Sequence, residues 1–312
     1  MNNLSVILAT DTYPTIGPVV DRWRQQSARK QVELVLVAPS IDAVCPVLEH
    51  RDEFENVRVI EHSVTDLAQA RAAGIRAATA PIVFVGETHS YPQPGFVEAL
   101  LAEFSGPWSA VGPVFGNANP KGFLSWAAFL SDYGRWAEGL PAGETAETPL
   151  YNAAYRRSVL LELGDRLAPS LDHGDELWTT LRAGGHRAWL APQARLDHVN
   201  VSRPWDWVRE RFLAGLLIGH YRARRWSLAR RVTYVCGSLL IPFVLTWRVA
   251  PGAWRTVRQK NLPWMTIPAI LVGMTIKAAG EFGGYAGFFG NAQREMLEYE
   301  VHKLAYAGSA RR

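Results

Sequence analysis

The first third of the chain alternates short apolar runs with amphipathic segments. The apolar runs are rich in Val, Ile and Leu and have the length of strands, which is typical of buried β-structure. Apolar residues in the segments between them recur at helical spacing. Such strand–helix alternation predicts a doubly wound α/β domain with parallel strands and right-handed crossovers. The predicted strands are residues 4–9, 32–37, 57–60, 82–85 and 108–115, and the predicted helices are residues 16–27, 66–80 and 95–104.

The middle of the chain, residues 116–200, is less regular. Its polar segment 139–149 is rich in Gly, Pro, Glu and Thr, and we predict a mobile loop there. The other predicted elements are an aromatic helix at 123–136, a strand and a helix within 151–163, a helix at 176–183 and a strand at 188–191.

The last third contains two apolar runs, residues 232–249 and 263–276. Each is at best only about long enough to cross a bilayer, which takes roughly 17–25 residues. Basic residues precede the first run and separate the two runs. A spanning hairpin would therefore place basic clusters on opposite sides of the membrane, against the positive-inside tendency. We predict helices that lie in or dip into one leaflet, with Trp side chains at the headgroups. The alternative is a hydrophobic helical subdomain packed on the core or on another subunit.

These patterns divide the chain into an α/β domain, residues 1–203, and a helical region, residues 204–312, that serves membrane association, oligomerisation or both. The net charge of +4 suits nucleic acid, anionic lipid or phosphorylated substrates alike. Basic residues cluster with Trp on apolar helices, so we expect no nucleic-acid partner. Cys45 and Cys236 lie far apart, so we expect no disulfide framework. The N-terminal residues have no basic region or cleavage site, so we expect no secretory signal.

A candidate site follows the predicted strand at 82–85, where the chain reads Glu87-Thr88-His89. If strand geometry persists, Glu87 and His89 point to the same side. In an open α/β sheet, ligands bind at this edge. Two metal-competent side chains there suggest a cation that could hold a phosphate. The alternative is a turn that happens to contain both residues.

Several motifs occur in a characteristic order around this segment. A helix of the form A-R-x-x-G-I-x-x-A precedes the strand, and a P-x-P-G loop follows it. Their order and spacing resemble the family 2 glycosyltransferases with the GT-A fold, over roughly residues 3–200. The matching pieces are residues 67–78, 82–85, 92–95, 112–113, 119–120, 125–126, 151–157 and 177–185, and the run Pro192-x-Ala194-x-x-x-His198.

The resemblance implies a GT-A domain, with a doubly wound, Rossmann-like mixed sheet, followed by a membrane-associated helical region. It implies an inverting enzyme that transfers a sugar from a UDP- or GDP-type nucleotide-sugar donor. Its acceptor would be lipid-linked or a polysaccharide, at the cytoplasmic face of the cell membrane, and a homo-oligomer is compatible with this arrangement. The alternative is a catalytically degenerate GT-A scaffold in a membrane polysaccharide assembly system.

The resemblance also implies a divalent metal site. Glu87 and His89 stand at the family's Asp-x-Asp position, with Thr88 in place of a central Asp, and His198 stands where a His commonly completes the site. These ligands suit Mn²⁺ or Mg²⁺, the imidazoles favouring Mn²⁺. The alternative for His198 is a buried structural role.

On the donor side, the family's base-contacting carboxylate after the second strand is missing, since residues 38–40 read Ala-Pro-Ser. Recognition of the base then falls to Thr10, Asp11 or backbone groups. Arg71 and Glu87 complete the donor side, although Arg71 could equally be a structural ion-pair partner.

On the acceptor side, the family's catalytic carboxylate is displaced. Asp175 is the first candidate for the base, with Asp172 and His173 as alternatives. The competing interpretation of Asp175 is an interaction with the N-terminal dipole of the next helix. The predicted acceptor contacts are Asn152, Tyr155 and Trp178.

Overall fold

The computed structural model describes residues 3–172, 174–224 and 226–308, apart from the side chains at positions 174, 175, 239 and 245. Backbone contacts divide the chain into two units. The first comprises residues 1–116 and 138–197, and the second comprises residues 117–137 and 198–312. The boundary cuts two strands just before their last residues, Asn117 and His198, and these residues are described with their strands. The domain division predicted at residue 203 stays a prediction.

The first unit is built on one sheet. Its strands lie in the order β3-β2-β1-β4-β8-β6-β9-β5, and β7 pairs with β9. The strands are β1 Leu4–Ala9, β2 Val32–Ala38, β3 Asn56–Glu61, β4 Ile82–Val85, β5 Ser90–Pro92, β6 Ala110–Asn117, β7 Gly143–Thr145, β8 Ala153–Arg156 and β9 Ala188–His198. The helices of this unit are α1 Tyr13–Arg24, α2 Leu67–Ala77, α3 Phe96–Glu103, α5 Arg157–Leu161, α6 Leu167–Asp172 and α7 Gly174–Ala183, with 3-10 turns at Arg29–Gln31, Asp42–Glu53 and Gly164–Arg166.

The sheet is mixed. Strands β3, β2, β1 and β4 run parallel, as the alternating pattern predicts. Strand β8 is antiparallel to both β4 and β6. An all-parallel sheet is therefore wrong beyond β4, because β8 inserts between two strands that share a direction. The mixed sheet implied by the family resemblance is confirmed.

The predicted mobile loop at 139–149 is wrong for its centre. Residues 143–145 form β7, which pairs antiparallel with residues 188–190 of β9. Arg187 reinforces this pairing, since its Nε and Nη2 donate to the two Glu144 carboxylate oxygens at 2.9 and 2.6 Å. The segment is thus an added edge of the sheet.

Helix α2 lies close against the parallel strands. The Asp66 side chain caps its first turn by accepting from Gln69 N–H at 3.0 Å. A Cβ at Gly74 would lie 2.5 Å from Ile7 Cγ2 and 2.9 Å from Val37 Cγ2. Only glycine therefore allows this helix to approach the sheet so closely. The approach packs α2 against β1 and β2.

The second unit is helical. Its helices are α4 Phe123–Asp132, α8 Pro204–Ala223, α9 Leu228–Gly237, α10 Ile241–Gln259, α11 Thr266–Ala286, α12 Ala292–Val301 and α13 Lys303–Tyr306, with 3-10 turns at Gly134–Trp136 and Ser238–Leu240. Residues 123–136, predicted as one helix, are thus α4 followed by a 3-10 turn. Helices α8 and α11 meet through glycines. A Cβ at Gly284 would lie 2.5 Å from the His220 backbone nitrogen, and Cβ atoms at Gly215, Gly219 and Gly280 would overlap backbone atoms of the facing helix.

A buried ion cluster joins α4 to α8. Arg211 donates from Nη1 to Asp132 Oδ1 at 2.8 Å, and its Nη2 contacts the other carboxylate oxygen. Its Nε also donates to Glu210 Oε2 at 2.6 Å. Burial opposes ionisation of Asp132, but the Arg211 guanidinium lowers the pKa of this carboxyl to about 2.

Among the described residues, no single helix has the length and apolar character needed to cross a membrane. Two consecutive helices, Leu228–Gly237 and Ile241–Gln259, meet the requirement of length and composition when they are taken together. The angle between these two helices is 67°.

Candidate active site

Three potential metal ligands converge at the carboxyl end of the central strands. Strand β4 ends at Val85, and the turn after it carries Glu87 and His89, while His198 is the last residue of β9. The exposed fractions of the three ligand residues are 5%, 0% and 2%. One ligand atom from each lies within 4.8 Å of the other two, and His89 Nε2 is 3.4 Å from Glu87 Oε2. The structure therefore brings together the three residues predicted to bind a metal.

Asn152 holds the Glu87 carboxylate. Its Nδ2 donates to Glu87 Oε2, and Ser90 Oγ donates to the same oxygen at 3.3 Å. The Asn152 backbone lies in the left-handed region, with φ of 59°, and its N–H donates to Val85 O at 2.6 Å. Asn152, predicted as an acceptor contact, is fully buried against Glu87, and its acceptor role stays a prediction.

The chemistry of these residues fits a divalent cation. A buried carboxylate is costly unless it is paired, and a cation between one carboxylate and two imidazoles provides that pairing. Within the described part of the chain, Asn152 Oδ1 has no hydrogen-bond partner, so a further oxygen is buried beside Glu87. An oxygen and imidazole set of this kind, completed by substrate oxygens, suits Mn²⁺ or Mg²⁺.

Thr10 and Asp11 follow the carboxyl end of β1. The Thr10 side chain is buried and donates from Oγ1 to Thr12 O at 3.0 Å. The Asp11 carboxylate is half-buried and accepts from Thr12 Oγ1 at 3.4 Å. Both predicted donor residues therefore lie at the end of a parallel strand adjacent to β4.

Arg71 lies on α2 and is 4% exposed. Its guanidinium carbon is 3.6 Å from the centre of the Tyr151 ring, a cation–π contact. Its Nε has no hydrogen-bond partner among the residues that the structure describes. Arg71 thus makes an aromatic contact, and both its predicted donor role and the alternative of a structural ion-pair partner stay predictions.

Tyr155 and Trp178 lie in the hydrophobic core, with exposed fractions of 0% and 1%. Tyr155 Oη donates to the backbone carbonyl of Pro149 at 3.0 Å, and burial raises the pKa of its hydroxyl. Trp178 Nε1 donates to Thr148 O at 3.1 Å. Both rings therefore pack inside the core of the first unit. The role predicted for Tyr155 and Trp178 as acceptor contacts stays a prediction.

The candidate bases lie around the junction of α6 and α7. Asp172 is exposed at the last residue of α6. His173 and the Asp175 side chain lie outside the described residues. Assignment of the base among these three residues stays a prediction.

Sequence reasoning missed the asparagines behind His198. Asn200 Oδ1 is 3.1 Å from His198 Nδ1, and the Tyr133 ring centre is 4.2 Å from the imidazole centre. The matched pair Asn119-Pro120 lies in this region, but its pattern does not indicate contact with a metal ligand.

Comparisons with known proteins identify a family and a fold. Residues 6–164, about half of the chain, match the family model described as glycosyl transferase family 2. No curated protein sequence matches the chain.

Two solved structures are similar in fold. A mannosyltransferase from Pyrobaculum calidifontis, PcManGT, solved with GDP-Man and Mn²⁺, is 17% identical with a TM-score of 0.51, covering 97% of this chain and 86% of its own. GalNAc-T7, solved with UDP, GalNAc and Mn²⁺, is 15% identical with a TM-score of 0.50 over 63% of this chain. The match spans only 43% of the GalNAc-T7 chain.

Proposed function

The chain belongs to glycosyl transferase family 2, and on that premise we propose a metal-dependent, inverting enzyme that acts at the cytoplasmic face of a membrane. Family membership makes it a glycosyltransferase with a nucleotide-sugar donor. The proposal adds a UDP- or GDP-type donor and a lipid-linked or polysaccharide acceptor. The observation that carries the metal and donor assignment is the buried cluster of Glu87, His89 and His198.

The donor would bind with its diphosphate at this cluster. Glu87, His89 and His198 would hold the ion, which when bound supplies Lewis-acid stabilisation of the leaving diphosphate. Arg71 supports this placement, because its guanidinium is buried with an unpartnered Nε and adds positive charge. Thr10 and Asp11 follow β1 and are the proposed contacts to the nucleoside.

Transfer with inversion requires a base that takes the proton from the acceptor hydroxyl. Asp175 is the proposed base, with Asp172 and His173 as alternatives. We expect Asp175→Asn to lower kcat by about 10²–10⁴-fold, as is usual for loss of general-base catalysis. If Asp175→Asn stays active while Asp172→Asn or His173→Asn does not, the base is reassigned.

A titration of Mn²⁺ with and without UDP or GDP tests the metal and donor proposal. The two similar structures contain Mn²⁺ with UDP or GDP-mannose, so both nucleotides are used. We expect the melting temperature to rise with nucleotide only when Mn²⁺ is present. Glu87→Ala and His89→Ala should abolish that rise, whereas Glu144→Ala, at an exposed ion pair of the same sheet, should keep it.

The same titration tests the alternative of a degenerate scaffold. A scaffold would show no Mn²⁺-dependent shift with any nucleotide. A Mn²⁺-dependent rise in melting temperature, without turnover of any nucleotide sugar in a panel, would support nucleotide binding and refute the catalytic proposal.

Apolar surface on the second unit supports the membrane part of the proposal. The exposed fractions of Phe243, Trp247 and Trp264 are 73%, 83% and 75%. A groove of about 900 Å³ lies between α10 and α11 and is lined by side chains such as Pro242 and Leu271. Exposed apolar surface of this extent is typical of a site that contacts lipid or protein.

The glycines between α8 and α11 support the same proposal. Small residues four positions apart let the backbones of two helices touch. This arrangement is enriched in membrane proteins, because in lipid the hydrophobic effect does not drive helices together. Gly215 and Gly219 on α8 face Gly280 and Gly284 on α11 with this spacing.

Flotation with lipid vesicles tests the membrane proposal. We expect the full chain to float with vesicles that contain anionic lipid, and Phe243→Ser with Trp247→Ser to reduce the floating fraction. Ile41→Ser, at a 44% exposed apolar residue of the first unit, is the matched control and should float normally. A full chain that stays monomeric in water without detergent and does not float would refute membrane association. Sedimentation of the same preparation measures the homo-oligomer that stays a prediction.

A further inference from the structure

The position of the proton on His198 is determined by the residues around it. A neutral imidazole donates from one ring nitrogen and accepts at the other, so its partners decide the tautomer. His198 Nδ1 is 3.1 Å from Asn200 Oδ1 in a buried environment. Which nitrogen is protonated depends on how the Asn200 amide is oriented.

Backbone groups fix that orientation. The Asn119 backbone N–H donates to Asn117 at 3.1 Å, and because a backbone N–H can only donate, the Asn117 atom it meets is the oxygen, Oδ1. Asn200 Nδ2 lies 3.0 Å from this oxygen and 3.1 Å from the His198 backbone carbonyl. Both neighbours accept, so the Asn200 atom between them is the amide nitrogen. The other amide atom, Oδ1, is then the one that faces the imidazole.

Asn119 keeps Asn200 in place. Its Oδ1 accepts from the Asn200 backbone N–H at 2.8 Å, and its Nδ2 donates to the Asn200 carbonyl at 2.8 Å. Asn119 and Asn200 are 1% and 3% exposed, so water competes little for these bonds. We call Asn117, Asn119 and Asn200 the asparagine relay.

We propose that the asparagine relay holds neutral His198 in the tautomer with its proton on Nδ1, which makes Nε2 the metal-binding nitrogen. Asn200 Oδ1 can only accept, so Nδ1 must donate to it. The inference rests on the proposed function, because Nε2 is assigned to the ion proposed for Glu87, His89 and His198. Asn200 is a positioning residue that acts through His198.

Nuclear magnetic resonance of the full chain with ¹⁵N-labelled histidine tests the relay directly. Long-range ¹H–¹⁵N correlations distinguish the two tautomers of a neutral imidazole. His198→Gln identifies the His198 signals. We expect the Nδ1–H tautomer in the unaltered protein and a shift towards Nε2–H in Asn200→Ala.

Metal affinity is the second readout. Titration followed by the paramagnetic resonance of free Mn²⁺ should show about 10–100-fold weaker binding in Asn200→Ala, the usual effect of losing an outer-shell partner. Ser202→Ala is the matched control, because the Ser202 hydroxyl bonds Asn119 Nδ2 and Gly308 N–H but not the imidazole. It should keep the original tautomer and affinity. The tautomer of the unaltered protein is a readout that does not depend on how well Asn200→Ala folds.

The outcomes separate the relay from the metal site. An Nε2–H tautomer in the unaltered protein, or unchanged tautomer and affinity in Asn200→Ala, overturns the relay. Unchanged Mn²⁺ binding in His198→Gln, with the Nδ1–H tautomer present in the unaltered protein, supports the tautomer assignment and refutes the proposed metal site.

Discussion

At the scale of single residues, Asn152 combines two constraints. Its amide holds the Glu87 carboxylate, and its backbone has a positive φ of 59°. Asparagine tolerates this backbone region better than most residues, whereas alanine is disfavoured there by roughly 1–2 kcal/mol. Position 152 therefore needs both a short amide side chain and left-handed backbone.

Two substitutions separate these constraints. Asn152→Ala and Asn152→Gly both remove the amide, but only Asn152→Ala strains the backbone. We expect both to reduce kcat/KM for sugar transfer by a similar factor, and Asn152→Ala to be less stable than Asn152→Gly by about 1 kcal/mol in urea unfolding. Unchanged kcat/KM in Asn152→Gly would mean that the amide does not position Glu87.

Some site residues could be predicted from the sequence and others could not, and the difference depends on what positions each side chain. Glu87, His89 and His198 each follow or end a predicted strand, within motifs whose order is typical of the family. The sequence could therefore predict that the three side chains lie close together at the carboxyl edge of the sheet. The role of Asn152 depends on a backbone angle, and that of Asn200 on contacts with other strands, which local sequence does not encode. The burial of Tyr155 and Trp178 was not predicted, because the sequence pattern does not show which polar rings pack inward.

At the scale of secondary structure elements, the parallel strands were predictable because each has Val or Ile at two or more positions. β7 was not, because its three polar residues become a strand only through pairing with β9. The direction of β8 was not predictable either, since an apolar run has the same pattern in both directions.

The contact between α8 and α11 gives a prediction at the same scale. A Cβ at Gly284 would lie 2.5 Å from the His220 backbone nitrogen, so Gly284→Ala must push the helices apart. We expect a loss of about 1–3 kcal/mol in the free energy of unfolding. Gly252→Ala on α10 meets no described atom within 4 Å and should be neutral or stabilising by up to about 1 kcal/mol. Equal effects of the two substitutions in denaturant unfolding would contradict the close approach.

The ion pair between α4 and α8 predicts a pH dependence. Since Arg211 lowers the pKa of Asp132 from 3.8 to about 2, the pair's stabilisation is complete above about pH 4 and is lost as pH falls towards 2. With allowance for the partial exposure of Asp132, we expect about 1–2 kcal/mol. Unfolding of the unaltered chain and Asp132→Asn should differ at pH 6 and converge near pH 2. Glu144→Gln, at an exposed pair with Arg187, should show a much smaller difference, and a constant difference for Asp132→Asn would refute the assignment.

At the scale of the whole molecule, the two units are not consecutive in sequence, because residues 117–137 belong with residues 198–312. A chain cut after residue 203 keeps α4 but loses α8 and α11, the helices packed against it. We expect the 1–203 fragment to melt well below the full chain and to aggregate. The fragment lacks Arg211, the ion-pair partner of Asp132, and the apolar face of α4 is no longer covered by α8 and α11. A fragment as stable as the full chain in thermal unfolding would contradict this division.

The glycine contact of α8 with α11 also limits how the second unit can move. Helices that pack through their side chains can slide past one another by small shear motions. Here backbone meets backbone at Gly215, Gly219, Gly280 and Gly284, and a slide of one residue would bring a side chain against a main chain. The two helices must therefore move as one rigid body, and a displacement imposed on either helix is carried along the full length of both.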